Sequence, residues 1–535
     1  MDHGSGSRRR HTASQASAVA LLALLLSTPA AGADVFRYGR FEQSFTSSKD
    51  VPNPLAEEVK VEFTSPGGQR QEVLAFWDGG RRWKVRFSPE QAGTWKYEGF
   101  GQSGQFRVSE YKGRNPLYRR GAPRLSKNRR YFVQAEGTPW FWLADTAWNG
   151  ALLSTREEWE KYLADRSAKK FTAIQFVTTQ WRAGRQDERG QVAFTGTDRI
   201  EINPAFFERM DQKIEAINEH GLVAAPVLLW ALTSKDRESP GEGLPDDQAI
   251  LLARYMVSRY DAHGVVWLLG GDGDYRGARA ERWKSIGRAV FPDTRPHRLV
   301  TMHPRGMQSP WPEYRDEPWV GFFMYQSGHG NDPRKWRWNA TQGGAADWKL
   351  APARPVVDGE INYEGHLDYQ TQKPIADAQV RRAAYYSLLG APPAGVTYGA
   401  HGIWPWIRTP SVPLDHPRTG VAQPWFECLD YPGARQMKAL REIFDSVAWW
   451  KLRPDRALLA EDSDDPEFRN HIMAALSETG DFALLYLPAN DAVKLNPGKF
   501  RKAVWLDPRT GQRQPAAVQP EMKTPGSGDW VLLLR

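Results

Sequence analysis

The stretch VVWLLGGDGDY (265–275) is an apolar run that ends at once in two glycines and a carboxylate. A run of this length, closed by glycine, reads as a strand buried on both faces rather than as a helix. Seven companions flank it: Trp140 to Ala144, Phe171 to Val177, Leu222 to Leu229, Arg298 to Met302, Val320 to Tyr325, Pro355 to Asp358 and Gly395 to Tyr398. Amphipathic helix candidates lie between them. Ser154 with Glu157 three residues on reads as a capping box, and Asn203-Pro204 as the cap and first residue of a helix closed by Gly221. Phe207, Met210, Ile214 and Ile217 then fall on one helical face, and residues 379–389 pack apolar side chains comparably. Strand and helix alternating eight times predict an α/β fold, a (β/α)8 TIM barrel over residues 124–450.

Outside the barrel the period falls to two. Val59-Lys60-Val61-Glu62-Phe63 and Trp83-Lys84-Val85-Arg86-Phe87 alternate as half-buried strands, predicting a small β-sandwich over 34–112. Residues 112–123 read as a linker and 124–136 as a short hairpin. Alternation returns at His471 to Leu476, Phe482 to Leu487, Ala503 to Leu506 and Trp530 to Leu534, with a turn at Asp507-Pro508-Arg509-Thr510-Gly511, predicting a second β-sandwich over 452–535. Residues 1–33 read as a signal peptide: Arg8 to Arg10, then apolar Ala16 to Leu26, then Ala31-Gly32-Ala33 as a cleavage site. The expectation is export, to the periplasm or out of the cell.

Composition narrows the function. With 41% hydrophobic and 25% charged residues the chain of 535 is an ordinary folded one, and its net charge of +8 is interspersed rather than clustered, which argues against a nucleic-acid surface. No later segment is apolar enough to span a membrane. The lone cysteine, Cys428, excludes an internal disulfide and thiolate metal sites. The 23 tryptophans suit either core anchors or the flat faces of sugars.

A TIM barrel works at the carboxyl ends of its strands. Those positions carry Asp145, Thr178 to Trp181, Trp230, Asp272 and Asp274, His303, Tyr325, Glu360, and His401 with Trp404. The set is acidic and aromatic, without a phosphate-cradling glycine loop, a serine elbow or metal-ligand spacing, so no cofactor and no metal are expected. Asp272 and Glu360, after the fourth and seventh strands, face each other across the barrel axis, as glycoside hydrolysis requires. With retention Glu360 is the nucleophile and Asp272 the acid, its pKa raised by burial and by its neighbour. Gly270-Gly271 lets the backbone approach what Asp272 serves, and Tyr325 is placed to donate to Glu360. Asp274 reads as a turn residue. Asp145 is either a sugar-hydroxyl acceptor or a polar plug behind the first strand. Trp148, Trp181 and Trp404 either stack on sugars or anchor loops, and His303 and His401 either bind hydroxyls or are satisfied in the rim. Tyr363 and Glu364 either reach substrate or orient Glu360.

The stretches WFWLADTAWN (140–149), VVWLLGGDGDY (265–275), PVVDGEINYEG (355–365) and TYGAHGIW (397–404) resemble, in that order, the apiosidase-like glycoside hydrolases of family 140. Residues 81–99 resemble the β-sandwich that often precedes this barrel, and 482–488 with 503–512 the collagen-binding-type β domain that follows it. The resemblance implies an Asp/Glu catalytic pair at Asp272 and Glu360, and a polysaccharide or oligosaccharide substrate, apiose-bearing pectic side chains being the characterised case. Two other readings stand beside it: a non-catalytic carbohydrate- or matrix-binding protein with an inert barrel, and a collagen-degrading protease, which the absence of a metal or Ser/Cys nucleophile motif opposes.

Overall fold

A computed structural model describes Met1 and residues 35–535 other than 233–234, 462–464, 469, 497 and 499. The leader expected at 1–33 lies, beyond Met1, outside the described residues. Eight strands form the barrel: β1 (Trp142–Thr146), β2 (Ala173–Val177), β3 (Val223–Trp230), β4 (Trp267–Gly273), β5 (Val300–Pro304), β6 (Phe323–Gln326), β7 (Val356–Glu360) and β8 (Pro393–Gly399). Each overlaps one predicted run. They are almost wholly buried because helices cover one face and the barrel interior the other. The parallel ladder runs β5-β4-β3-β2-β1-β8-β7-β6. At the remaining seam Gly321 N donates to Val300 O at 2.8 Å, and Thr301 Oγ1 to Phe322 O at 2.8 Å.

The helix signals hold with one displacement. Asn203 caps the helix Pro204–Glu219, and Gly221 past its end has φ +74°. The capping box sits one residue later than predicted: Thr155 Oγ1 accepts from Glu158 N at 3.3 Å and Glu158 Oε2 from Thr155 N at 2.9 Å. Ser154 instead receives the buried Lys213 ammonium on its hydroxyl and carbonyl, at 2.7 and 2.6 Å.

One end of the barrel is closed. The short antiparallel strands Pro123–Leu125, Phe132–Gln134 and Pro139–Trp140 bring Phe132 edge-on to Phe322 at 5.1 Å and Trp140 to Trp142 at 6.0 Å. The stretch read as a linker contains a helix, Pro116–Arg120, whose Leu117 is buried and whose cap Asn115 donates to Asn218 O at 2.7 Å. It is docked on the barrel. Ahead of it, a five-stranded and a three-stranded sheet enclose Phe45, Val61, Phe63 and Val85. Arg86 of that unit and Arg259 of the barrel share Asp211, at 2.6 Å each. Behind the barrel a six-stranded sheet carries a two-stranded ribbon, Ala492–Lys494 with Glu521–Lys523. It meets the barrel helix Asp377–Gly390, where Tyr385 stacks on Tyr486 at 4.6 Å and Arg381 pairs with Asp529 at 2.7 Å.

Tryptophan usage is decided mainly by packing: Trp83, Trp142, Trp159, Trp181, Trp267, Trp283, Trp311, Trp319 and Trp336 are fully buried. The free Cys428 is buried as well. Among the described residues no helix is long and apolar enough to cross a membrane.

Candidate active site

The carboxyl-terminal end of the barrel is shaped by two β-bulges. On β4 the register against β5 passes from Gly271↔His303 to Gly273↔Pro304, so Asp272 is the extra residue, in the left-handed region at φ +52°. On β7 the register against β6 passes from Tyr325↔Asp358 to Gln326↔Glu360, leaving Gly359 unpaired. A bulge breaks the two-residue alternation and re-aims the side chain beside it. Gly359 turns its carbonyl into the barrel, where Gln175 Nε2 donates to it at 2.9 Å. The glycines beside Asp272 are required by packing: a Cβ on Gly271 would lie 2.5 Å from the Trp230 ring, and one on Gly273 2.6 Å from Tyr275.

Asp272 and Glu360 meet at this end. The Glu360 charge raises the pKa of Asp272, and the neighbouring Gln326 side chain lowers both carboxyl groups. The two carboxyl groups are near enough for the charge of one to act on the other. Glu360 Oε1 lies 2.9 Å from His329 Nε2, and Oε2 lies 3.4 Å from His303 Nε2. His329 Nδ1 accepts from Tyr363 N at 3.3 Å, which places the ring proton on Nε2, aimed at Glu360. Burial, with Lys335 nearby, lowers His329 to about 3, so this donor is neutral. Burial raises Glu360 above the ordinary carboxylate range, while His303, Tyr363 and Gln326 pull it back. Burial raises Asp272 well above that range, and the Glu360 charge raises it further, against Arg305 and Arg182.

Buried polar atoms without a hydrogen-bond partner gather at the same end: Trp230 Nε1, Trp404 Nε1, Arg182 Nε, the Tyr363 hydroxyl and the ring nitrogens of His303 and His401. Such groups are unusual in a folded interior and suit a ligand rich in hydroxyls. The aromatic wall is continuous. Trp148 lies edge-on to His303 at 5.2 Å and to Trp230 at 5.3 Å, Trp181 lies 4.3 Å from Trp230, and Trp404 lies 5.0 Å from His416. His401 stands 5.1 Å from His366, and burial lowers it to about 3.

One expectation is corrected, and three candidate substrate contacts are turned to structural roles. Tyr325 points outward, against Trp338 at 5.8 Å, because it precedes the bulge; Gln326, one residue on, is the one in register with Glu360. Asp145 is the plug: its Oδ2 accepts from Tyr162 at 2.8 Å and from the fully buried Arg166 at 2.5 Å, behind β1. Glu364 is tied away from the pair, accepting from Tyr398 at 2.6 Å and from Gly433 N at 2.9 Å, at the first turn of the helix Pro432–Asp445. Trp181 is an anchor, its Nε1 bonded to Asn149 at 2.7 Å. Asp274 pairs with Arg276 at 3.0 Å as a turn residue. His329, Gln326, His366, His416, Arg182 and Arg305 were not singled out from sequence. Gln326 and His329 follow the sixth run directly, so reading a few residues past each strand end would have found them.

Among the described residues no group of three or more His, Cys, Asp or Glu is arranged to hold a metal ion. The sequence pattern "Apiosidase-like, catalytic domain" matches residues 126–451. A domain of unknown function, DUF5060, matches 34–100, and "Putative collagen-binding domain of a collagenase" matches 453–535. No curated protein sequence matches this chain. Among solved structures, one titled a glycoside hydrolase is 23% identical with a TM-score of 0.68, over 79% of this chain and 98% of its own. A family 5 glycoside hydrolase from Bacteroides vulgatus ATCC 8482 is 21% identical with a TM-score of 0.68, over 79% of this chain and 95% of its own. Likeness at these identities is one of fold.

Proposed function

Because the chain belongs to the apiosidase-like family of glycoside hydrolases, we propose that it cleaves glycosidic bonds through Asp272 as general acid and Glu360 as nucleophile. The observation that carries this reading is the unequal setting of the two carboxyl groups, only Glu360 lying 2.9 Å from the His329 ring. Glu360 faces the Nε2 proton of His329, which favours its ionised form, and that charge in turn keeps the proton on Asp272. In the first step the Asp272 carboxyl gives its proton to the glycosidic oxygen as the Glu360 carboxylate bonds to the anomeric carbon and the leaving sugar departs. Water, deprotonated by Asp272, then releases the sugar from Glu360 and restores both groups. The wall of Trp148, Trp230 and Trp404, with His303, His401 and Tyr363, offers apolar faces and polar tips to a sugar ring.

The substrate in this proposal is a plant or bacterial polysaccharide or its oligosaccharides, apiose-bearing pectic side chains first, met after export under the 1–33 leader. The limits 34–112, 124–450 and 452–535 are taken as the three folding units.

The test is release of sugar from a panel of pectic and hemicellulosic glycans, with products separated by chromatography and the anomer first formed identified by NMR. Wild type should release one sugar with retained configuration, and Glu360→Gln should lose roughly 10³-fold or more in kcat while melting like wild type. Equal release by E360Q would sink the pair. Glycan binding without release by either protein would favour the inert-barrel reading.

A further inference from the structure

Resting on the assignment of Glu360, we propose that Asp358 is a positioning residue, a clamp across the β6/β7 bulge that aims both Glu360 and Gln326 at the reacting bond. Asp358 lies on the outer side of β7, where its Oδ2 accepts from Ser387 Oγ at 2.7 Å on the covering helix Asp377–Gly390. Its Oδ1 accepts two peptide N–H groups: that of Glu360 at 3.2 Å and that of Ser327, the residue after Gln326, at 3.2 Å. One oxygen therefore ties the ends of two strands.

The bulge explains why a side chain is needed there. With Gly359 unpaired, the β6/β7 ladder is interrupted, and buried peptide N–H groups at the break must find acceptors elsewhere. Asp358 supplies one for both. Without it the bulge can relax toward regular alternation, in which Glu360, two residues from Asp358, would share its outward face and leave the site. The acceptor is itself held from outside: Ser387 fixes its second oxygen, and the buried Lys335, whose ammonium has no hydrogen-bond partner and sits 4.2 Å from the Trp336 ring, balances its charge. Asp358 itself bonds to backbone and to Ser387, so the clamp acts through the strand ends that carry Glu360 and Gln326.

Asp358→Ala removes the acceptor, whereas Asp358→Asn keeps an oxygen in the same place. Crystal structures of both variants should show the 2.9 Å contact between Glu360 and His329 lost in D358A and kept in D358N. On the best glycan of the panel, D358A should lose about 100-fold in kcat with KM within about threefold, and D358N should recover to within about fivefold of wild type. If D358A does not fold, Ser387→Ala carries the test, with a longer Glu360–His329 contact and kcat down about fivefold. The clamp is overturned by a D358A whose Glu360 stays in place with kcat within about twofold of wild type, by a D358N as impaired as D358A, or by an S387A indistinguishable from wild type. A wild type inactive on every glycan would overturn the hydrolytic role of the pair, and the crystal structures would still decide the clamp.

Discussion

His329 sets the electrostatic character of the pair, although it lies in a loop beyond β6. Its Nδ1 is occupied by a peptide N–H, so only Nε2 can carry the proton, and that nitrogen faces Glu360 at 2.9 Å. A neutral donor favours the carboxylate without adding a positive charge that would draw the proton off Asp272. His329→Phe keeps a ring and removes the donor. Hydrogen bonds to charged groups contribute about 1.5–3 kcal/mol, so kcat should fall by roughly 10- to 100-fold. The sign of the pH effect follows: losing a donor to the charged form raises the Glu360 pKa, and the acid limb of the pH–rate profile should move to higher pH. An unmoved limb in H329F would show that Glu360 does not govern it. The position of Glu360 was legible in the sequence because it directly closes an apolar run that forms a barrel strand. His329 was not, because its role depends on a ring orientation fixed by Tyr363 and Glu360 together.

Among the elements, the strands carried the clearest sequence signal and the bulges the weakest. A buried parallel strand must be apolar on both faces, so eight short runs could be read directly, down to β5 and β6. A bulge adds one residue to a ladder and changes no composition. That is why Tyr325 was expected beside Glu360 when Gln326 is the residue that stands there, and why Asp145 remained undecided until Arg166 and Tyr162 were seen behind β1. The same physics makes the glycines near Asp272 sensitive. In Gly271→Ala the new methyl meets the rigid Trp230 ring at 2.5 Å and Val227 Cγ1 at 2.8 Å. Overpacking of this kind costs about 1–3 kcal/mol, so thermal denaturation should show a lower Tm, with kcat reduced because Trp230 and Asp272 are displaced together. A melting curve superimposable on wild type would refute the packing role.

The molecule as a whole is held to its N-terminal sandwich by a buried charge network. Arg86 of the sandwich and Arg259 of the barrel both bond to Asp211, and Arg259 reaches Asp78 at 3.0 Å. Burial alone would raise the Asp211 carboxyl, but the two guanidinium groups outweigh it and hold it well below the ordinary range. A depressed folded value stabilises the fold at pH above the unfolded-chain value of about 4, and that contribution is lost as pH falls further, toward the folded value. Asp211→Asn leaves two buried guanidiniums short of a counter-charge and should cost about 3–5 kcal/mol at neutral pH. The loss relative to wild type should shrink below about pH 4, where Asp211 takes up its proton in the unfolded chain while staying ionised in the folded one. Denaturant unfolding at pH 7 and pH 3 checks both parts; a pH-independent difference would mean that the charge network does not join the units.

By itself the sequence determined the barrel, its flanking β units and the two carboxylates at opposite strand ends, because burial on both faces, helix caps and chain order are local or periodic properties of a single chain. Tertiary structure alone decided which polar groups surround that pair. The side chains of Gln326, His329 and Asp358 acquire their roles from bulges and from partners mostly some thirty residues away, and hydrogen-bond geometry of that kind leaves no period in the chain.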